Sequence, residues 1–214
     1  DTAPMDGSVL NPGEVLKPYV SRQKEIGVKY DGDGLGAGLT LFSTNKKSGL
    51  VNEDDYFTAS GEDRHRGLEL TVYGEATRSV RLLGGLTWLD AERRNTGDAA
   101  LDGKRVVGVP RWQANLGVEW DVPGVDGLTV DGQVVYTGSR YADGANTLRV
   151  PSWTRFDAGV RYMTDVAGHL VTLRARVENI ANRDYWATVG GYPGMGYLAA
   201  GAPRTFWLSA SVDF

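Results

Sequence analysis

The run Glu62-Asp63-Arg64-His65 is where this chain comes nearest to a catalytic arrangement, because an acid beside an imidazole can activate water. The spacing works against it. Adjacent residues of a strand point to opposite faces, and a loop histidine among acids is ordinarily solvated. Asp31-Gly32-Asp33-Gly34 opens like a calcium loop, but such a loop needs an oxygen ligand at its fifth position and Glu at its twelfth. Leu35 and Phe42 stand there instead, so a hairpin turn is the better reading. Gly34 to Gly38 (GLGAG) has the glycines of a nucleotide loop without the helix that must follow them. Small residues inside a strand instead let a neighbouring group approach the backbone. With no Cys, thiolate chemistry is excluded. No catalytic residue, metal site or cofactor is expected, and the chain is not expected to be an enzyme.

What the residues do is alternate. In Arg204–Phe214, the side chains of Phe206, Leu208, Ala210, Val212 and Phe214 fall on one face of an extended strand. Thr205, Trp207, Ser209, Ser211 and Asp213 fall on the other. A strand crossing a bilayer at a tilt needs about 9–11 residues, apolar toward lipid, with aromatics near the interfaces. This segment fits, down to the aromatic Phe214. Similar alternation occupies Ile26–Tyr30, Leu35–Leu41, Leu68–Val72, Val80–Trp88, Trp112–Trp120, Leu128–Tyr136, Thr154–Tyr162 and Val171–Val177. The row Trp112, Ala114, Leu116, Val118, Trp120 carries a Trp at each end, as two interfacial girdles require. Roughly nine strands are predicted, with no helical period between them.

The connections alternate between short turns, near 31–34, 75–78, 122–127 and 165–168, and long polar loops, near 48–64, 91–109, 140–151 and 181–203. Outer-membrane barrels have short periplasmic turns and long extracellular loops. On that parity the last strand descends to the short-turn side, placing Phe214 at the periplasmic rim, and His169 reads as an interfacial or periplasmic side chain. Residues 1–20 have Pro and Gly without periodicity and read as an N-terminal loop. They lack the basic and apolar regions of a leader, so an exported chain is expected to be mature or a piece of something longer.

The formal charge of −4 offers no basic surface for nucleic acid. No run approaches the roughly 18 apolar residues of a membrane helix, but a barrel dilutes its apolar face with a polar one. A soluble antiparallel sandwich would alternate too. Against it stand strands longer than the usual 5–6 or so residues, charges in mid-strand at Arg174, Arg176 and Glu178, and aromatics gathered at strand ends. The expected fold class is all-β: an antiparallel up-and-down transmembrane β-barrel, with residues 1–20 a loop and 21–214 barrel wall.

Several stretches resemble the C-terminal part of TonB-dependent outer-membrane receptors. VENIANRDY (177–185) is similar to the family's penultimate-strand signature, and GAPRTFWLSASVDF (201–214) to its terminal Gly-x-Pro-Arg strand ending in Phe. SRQKEIGVKY (21–30), GLELTVYGEA (67–76) and VPSWTRFDAGVRY (150–162) match in order and spacing. The family's barrel has about twenty-two strands around a plug. The resemblance therefore implies a C-terminal fragment of such a receptor, without the plug or the TonB-contact motif.

It implies uptake of a ferric siderophore or similar scarce nutrient, energised by the TonB complex through the missing N-terminal part. The further implied partners are outer-membrane lipid and, through Phe214, the barrel-assembly machinery. The implied location is the outer membrane of a Gram-negative bacterium. Anionic chelates with aromatic or hydroxamate groups favour Arg and Tyr contacts, so Arg64, Arg66, Arg140, Tyr141, Tyr192 and Tyr197 are the candidate ligand contacts. Tyr56, Phe57 and Trp186 serve as easily in a girdle. Arg155, Arg161, Arg174, Arg176, Glu178 and Glu119 are expected to form networks on the wall that could hold a plug. The other readings are a small passive porin-like barrel and a barrel hydrolase acting through His65.

Overall fold

The structure, a computed structural model, describes all residues except Asp1, Asp6, Pro193 and Gly194, and excludes the side chains of 191–195. The strands are β1 (Arg22–Asp31), β2 (Leu35–Val51), β3 (Phe57–Thr77), β4 (Val80–Arg94), β5 (Trp112–Asp121) and β6 (Leu128–Thr137). They continue with β7 (Arg140–Tyr141), β8 (Arg149–Val150), β9 (Trp153–Val166), β10 (His169–Glu178), β11 (Trp186–Tyr192), β12 (Met195–Ala200) and β13 (Thr205–Asp213). Nine of them form one antiparallel sheet in the order β1-β2-β3-β4-β5-β6-β9-β10-β13. The pairs β7-β8 and β11-β12 are small separate ribbons inside the loops before β9 and β13. The sheet is open, with β1 and β13 at its edges.

Register shows why this sheet has two unlike faces. Partners directly across a ladder share a face, and the apolar rows stay in step from strand to strand. Tyr30 pairs with Ala37, Ala37 with Val72, Val72 with Gly84, Gly84 with Leu116, Leu116 with Val134, and Val134 with Phe156. Lower down, Val80, Trp120, Val130, Val160, Ala175 and Leu208 form a second continuous row. We term this the outer face. A slip of one residue at any ladder would bring charges into the row.

Burial then separates a membrane wall from a soluble core. The buried hydrophobics are Ala3, Val9, Leu50, Phe57, Ala91 and Val150, none of which belongs to these mid-strand rows. Leu208, Ile26 and Phe206 are 84%, 74% and 70% exposed, whereas the Asp157 side chain on the opposite face is 0% exposed. Apolar outside and charge inside is the arrangement that hydrocarbon on one side demands.

The strands run further than hydropathy alone suggests. Residues 48–64 read as loop, yet β2 and β3 extend through most of them and leave only 52–56 as the connection. Asn52 Oδ1 accepts from the amides of Asp54 and Tyr56, and Asp55 takes a left-handed φ of 58° to close that tip. Beyond the bilayer both faces of a strand meet water, so pairing persists while alternation disappears. Among the described residues of 2–20 there is one isolated bridge, Thr2 to Val15, and no longer strand; Asn11 holds this segment on the tip, accepting from Phe57 N and donating to Phe57 O at 2.8 and 2.9 Å. Ala3, Val9 and Phe57 form the small buried cluster there, with Leu16 against it.

Candidate functional site

The inner face is a continuous charged wall. At the short-turn end, Arg81 on β4 donates to Asp121 at 2.6 Å and to Glu119 at 3.1 Å, both on β5. Thr129 donates to Asp121 at 2.7 Å, and Arg161 on β9 reaches the Thr129 hydroxyl at 3.2 Å. Further up, Arg176 on β10 crosses β9 to reach β6, donating to Asp131 at 2.5 Å and Gln133 at 3.0 Å. The residue it crosses is Gly159, in register between Asp131 and Arg176. A Cβ there would collide with the Asp131 carboxylate, so the glycine makes the crossing possible.

Asp157 anchors the upper group. It accepts from Arg155 at 3.0 Å and from the amide of Asn179 at 2.8 Å, with Arg176 3.9 Å away. Arg155 also points to the Tyr185 hydroxyl at 3.5 Å, and the Tyr185 ring lies 4.4 Å from that of Trp153. Buried carboxylates need such partners, since an uncompensated charge in this setting costs several kcal/mol, on the order of 3–5. Of the six expected wall residues, Arg155, Arg161, Arg176, Glu178 and Glu119 engage in ion pairs. Arg174 lies on the same face, in register with Arg161 and Ser209, and forms no ion pair among the described residues.

The five expected ligand contacts whose side chains are described fall in three places, on β3, β7 and β12. Arg64 and Arg66 share parity with Leu68 and so belong to the outer face, beyond the Leu68–Trp88 pair on the long-loop side. Arg64 pairs there with Glu92, which also accepts from Arg94 at 2.8 Å. Arg140 and Tyr141 form β7; Arg140 is 4% exposed and donates to the carbonyls of Trp186 and Ala187 at 2.7 and 3.0 Å. Tyr197 is 60% exposed, with its ring over Gly190 in the β11-β12 ribbon. Tyr192 ends β11, and its side chain lies outside those described. Phe214 is fully exposed, its ring 5.3 Å from that of His169.

Sequence reasoning passed over Asn179 as a chemical group, although it stands inside the motif that carried the resemblance. It is 1% exposed and holds a left-handed φ of 52°. Its side chain donates to the carbonyls of Arg183 and Ala202 at 2.9 and 3.0 Å and accepts from Arg183 N at 2.9 Å. Asn182 then accepts from Arg204 N at 2.9 Å. The asparagines thus fasten the β10–β11 turn to the start of the last strand.

His65 lies on the inner face beyond the Trp88 level, and Asp63 shares that face two positions along the same strand, opposite Lys46 and Arg93. From β2 the Ser48 hydroxyl bonds the Asp63 carboxyl. Burial pulls the His65 imidazole below its usual range and pushes the Asp63 carboxyl above its own. The stability tied to neutral His65 is whole above its ordinary value of 6.5 and is lost as pH falls through the depressed value. Asp63 runs the other way: its contribution is whole below 3.8 and is lost as pH rises through the raised value. Within this wall, acidification from about pH 7.5 to about pH 5.5 therefore costs stability at His65. The thermal midpoint of the intact protein in detergent should fall further over that range than it does for His65→Gln. Equal falls would place the acid sensitivity elsewhere.

Long antiparallel strands with an apolar outer face, an ion-paired inner face and long loops at one end define the wall of a transmembrane β-barrel. The chain belongs to the TonB dependent receptor-like, beta-barrel family, whose model matches residues 2–180. It is 42% identical over 207 residues to the ferrichrome receptor FcuA of Yersinia enterocolitica, covering 96% of this chain and 27% of that protein. It is 34% identical over 187 residues to the ferrichrome outer membrane transporter/phage receptor of Escherichia coli K12, covering 82% of this chain and 24% of that protein. Among solved structures, the ferric preacinetobactin receptor BauA of Acinetobacter baumannii superposes with a TM-score of 0.85 at 39% identity, covering 100% of this chain and 32% of that one. The chain thus spans about a quarter to a third of the length of these relatives.

Proposed function

We propose that this chain forms the C-terminal wall of an outer-membrane receptor that takes up a ferric siderophore with energy supplied through TonB. The observation that carries the reading is membership of the receptor family together with an inner face whose charges are ordered into fixed networks. Three relatives are named as a receptor or transporter for ferrichrome or ferrioxamine, and the similar solved structure as a ferric preacinetobactin receptor. We therefore assign the class, ferric siderophore, and not one compound.

In the intact barrel the Arg155–Asp157–Arg176–Asp131 group would face the plug, and the long loops would form the outer mouth. Arg140, Tyr141, Tyr192 and Tyr197 remain candidate contacts on those loops. Phe214, exposed on the outer face beside His169, fits a strand-end signal for assembly into the membrane. The experiment is growth of a receptor-deleted strain carrying the full-length gene, with defined ferric siderophores as sole iron source. Growth restored by at least one chelate, and lost when TonB is removed, is the expected result. Rescue that persists without TonB would make this a passive channel, and peptide cleavage lost in His65→Ala would make it a hydrolase.

A further inference from the structure

The β11-β12 ribbon carries a bulge at its base. Trp186 pairs with Ala200 and Thr188 with Ala199, so Ala187 is an extra residue without a partner across the ladder. A bulge leaves backbone groups unpaired, and buried carbonyls of that kind need donors from elsewhere. Arg140 supplies them: its Nη2 donates to Trp186 O at 2.7 Å and to Ala187 O at 3.0 Å. The donor belongs to the β7-β8 ribbon, 46 and 47 residues away in the chain.

Arg140 lies too deep to meet a solute. It is 4% exposed, and its Nε is buried without a partner. Burial alone pulls its guanidinium below the usual range. A cation buried in this way is costly, and what it gives in return is a joint between two loops.

The β7-β8 ribbon is tied as well to the loop between β4 and β5. Asn146 accepts from Arg105 N at 2.7 Å and donates to Arg105 O at 3.1 Å, a two-point clasp on one backbone residue. Gly108, at a left-handed φ of 77°, donates its amide to Tyr141 O at 2.9 Å. A Cβ on Gly108 would come within 2.6 Å of Val189 O on β11, so this tip touches both ribbons. Three long loops thus meet around β7, and Tyr141 and Tyr197 sit on two of them.

We infer that Arg140 is a positioning residue for solute binding: it locks the β7-β8 and β11-β12 ribbons together and holds Tyr141 and Tyr197 in place at the mouth, without itself touching the solute. The inference rests on the receptor reading above and gives one of its candidate contacts a different task. Loops fixed beforehand need not be ordered when the solute arrives, and that ordering would otherwise weaken binding.

The test compares the intact receptor in detergent with Arg140→Met and Arg140→Lys, each first shown to have the heat-modifiable mobility of a folded barrel. Where Arg140→Met does not assemble, Arg140→Lys carries the comparison. Hydrogen exchange is followed without solute in peptides covering 138–150 and 181–190. Affinity is measured with ferrichrome or, where ferrichrome does not restore growth, with the ferric siderophore that does. In Arg140→Met both segments should exchange faster and Kd should rise at least about tenfold, because the cost of ordering two loops returns. Arg140→Lys, whose ammonium can still donate to both carbonyls, should recover part of the protection and a matching part of the affinity. Weaker binding with native protection in either variant would mean that Arg140 touches the solute, and overturns the inference. Faster exchange with native affinity overturns it too, as does an Arg140→Met receptor that matches the native one in both measurements. Growth on no ferric siderophore would count against the transport reading; the joint is then judged by exchange alone, and stands only if both segments loosen.

Discussion

Leu116→Arg is expected to abolish assembly of the intact receptor into the membrane, while Asn115→Arg, its sequence neighbour, assembles. Leu116 sits in the middle of the outer-face row, between Gly84 and Val134, and no charged residue lies beside it in register. Its side chain lies over Gly84, where an added Cβ would come within 2.9 Å of Leu116 Cδ1, so the leucine covers a gap that an Arg stem would also fill. The difference is the guanidinium, which would be left at mid-bilayer at a cost of about 2–4 kcal/mol. Asn115 lies between Gly85 and Val135 on the inner face, where the small Gly85 leaves room and polar side chains predominate. Heat-modifiable migration of membrane-extracted protein reads both variants. Equal assembly would mean that hydrocarbon does not cover the Leu116 face.

Asn179→Ala is expected to loosen the last loop and lower stability by about 2–4 kcal/mol. Removing the side chain leaves two carbonyls, those of Arg183 and Ala202, and the Arg183 amide without their partner in a site that is 1% exposed. Each buried group so orphaned costs about 1–3 kcal/mol, reduced where water can enter. Alanine also takes the left-handed φ of 52° poorly, at about 1 kcal/mol or more. Asn179→Gly separates the two causes, since glycine keeps the backbone and loses only the hydrogen bonds. The alanine variant should fall below glycine, and glycine below the native protein, in thermal midpoint. Both should gain a protease-sensitive site within 181–203. A glycine variant as stable and as resistant as the native chain would show that the asparagine serves only the backbone turn.

These two sites differ in how visible they were beforehand. The facing of Leu116 follows from period-two alternation alone, because hydrocarbon on one side imposes a one-dimensional pattern that each strand repeats. The short turns at 31–34, 122–127 and 165–168 were legible for a related reason: Gly, Asp and Pro gather where the chain must reverse. Asn179 was visible as part of a motif and silent as chemistry. Its partners lie at Asp157, Arg183 and Ala202, and a letter in a string does not say which distant carbonyls it will meet.

The polar extensions of β2, β3 and β4 were hidden for the opposite reason. Where water bathes both faces, a paired strand and a loop have the same composition, and hydropathy cannot tell them apart. The ligand candidates show a further limit. Residue type and the long-loop position single out Arg64 and Arg66, but type carries no face. Only counting parity through Leu68 and the register against Trp88 puts them on the outer side, where Arg64 is held by Glu92.

The letters by themselves determined that this is an antiparallel membrane wall with one lipid face and one charged face, since that much is written in local alternation and in the lengths of connections. Which charges meet was decided by the tertiary structure. Arg176 finds Asp131 across Gly159, and Arg105 comes to lie with Arg111 and Arg149 above Trp112, through ladder register and loop docking. Arg176 and Asp131, like Arg105 and Arg149, stand more than forty residues apart in the chain, a separation no local period encodes, and electrostatic partnership is set by ångströms in space, not by distance along the chain.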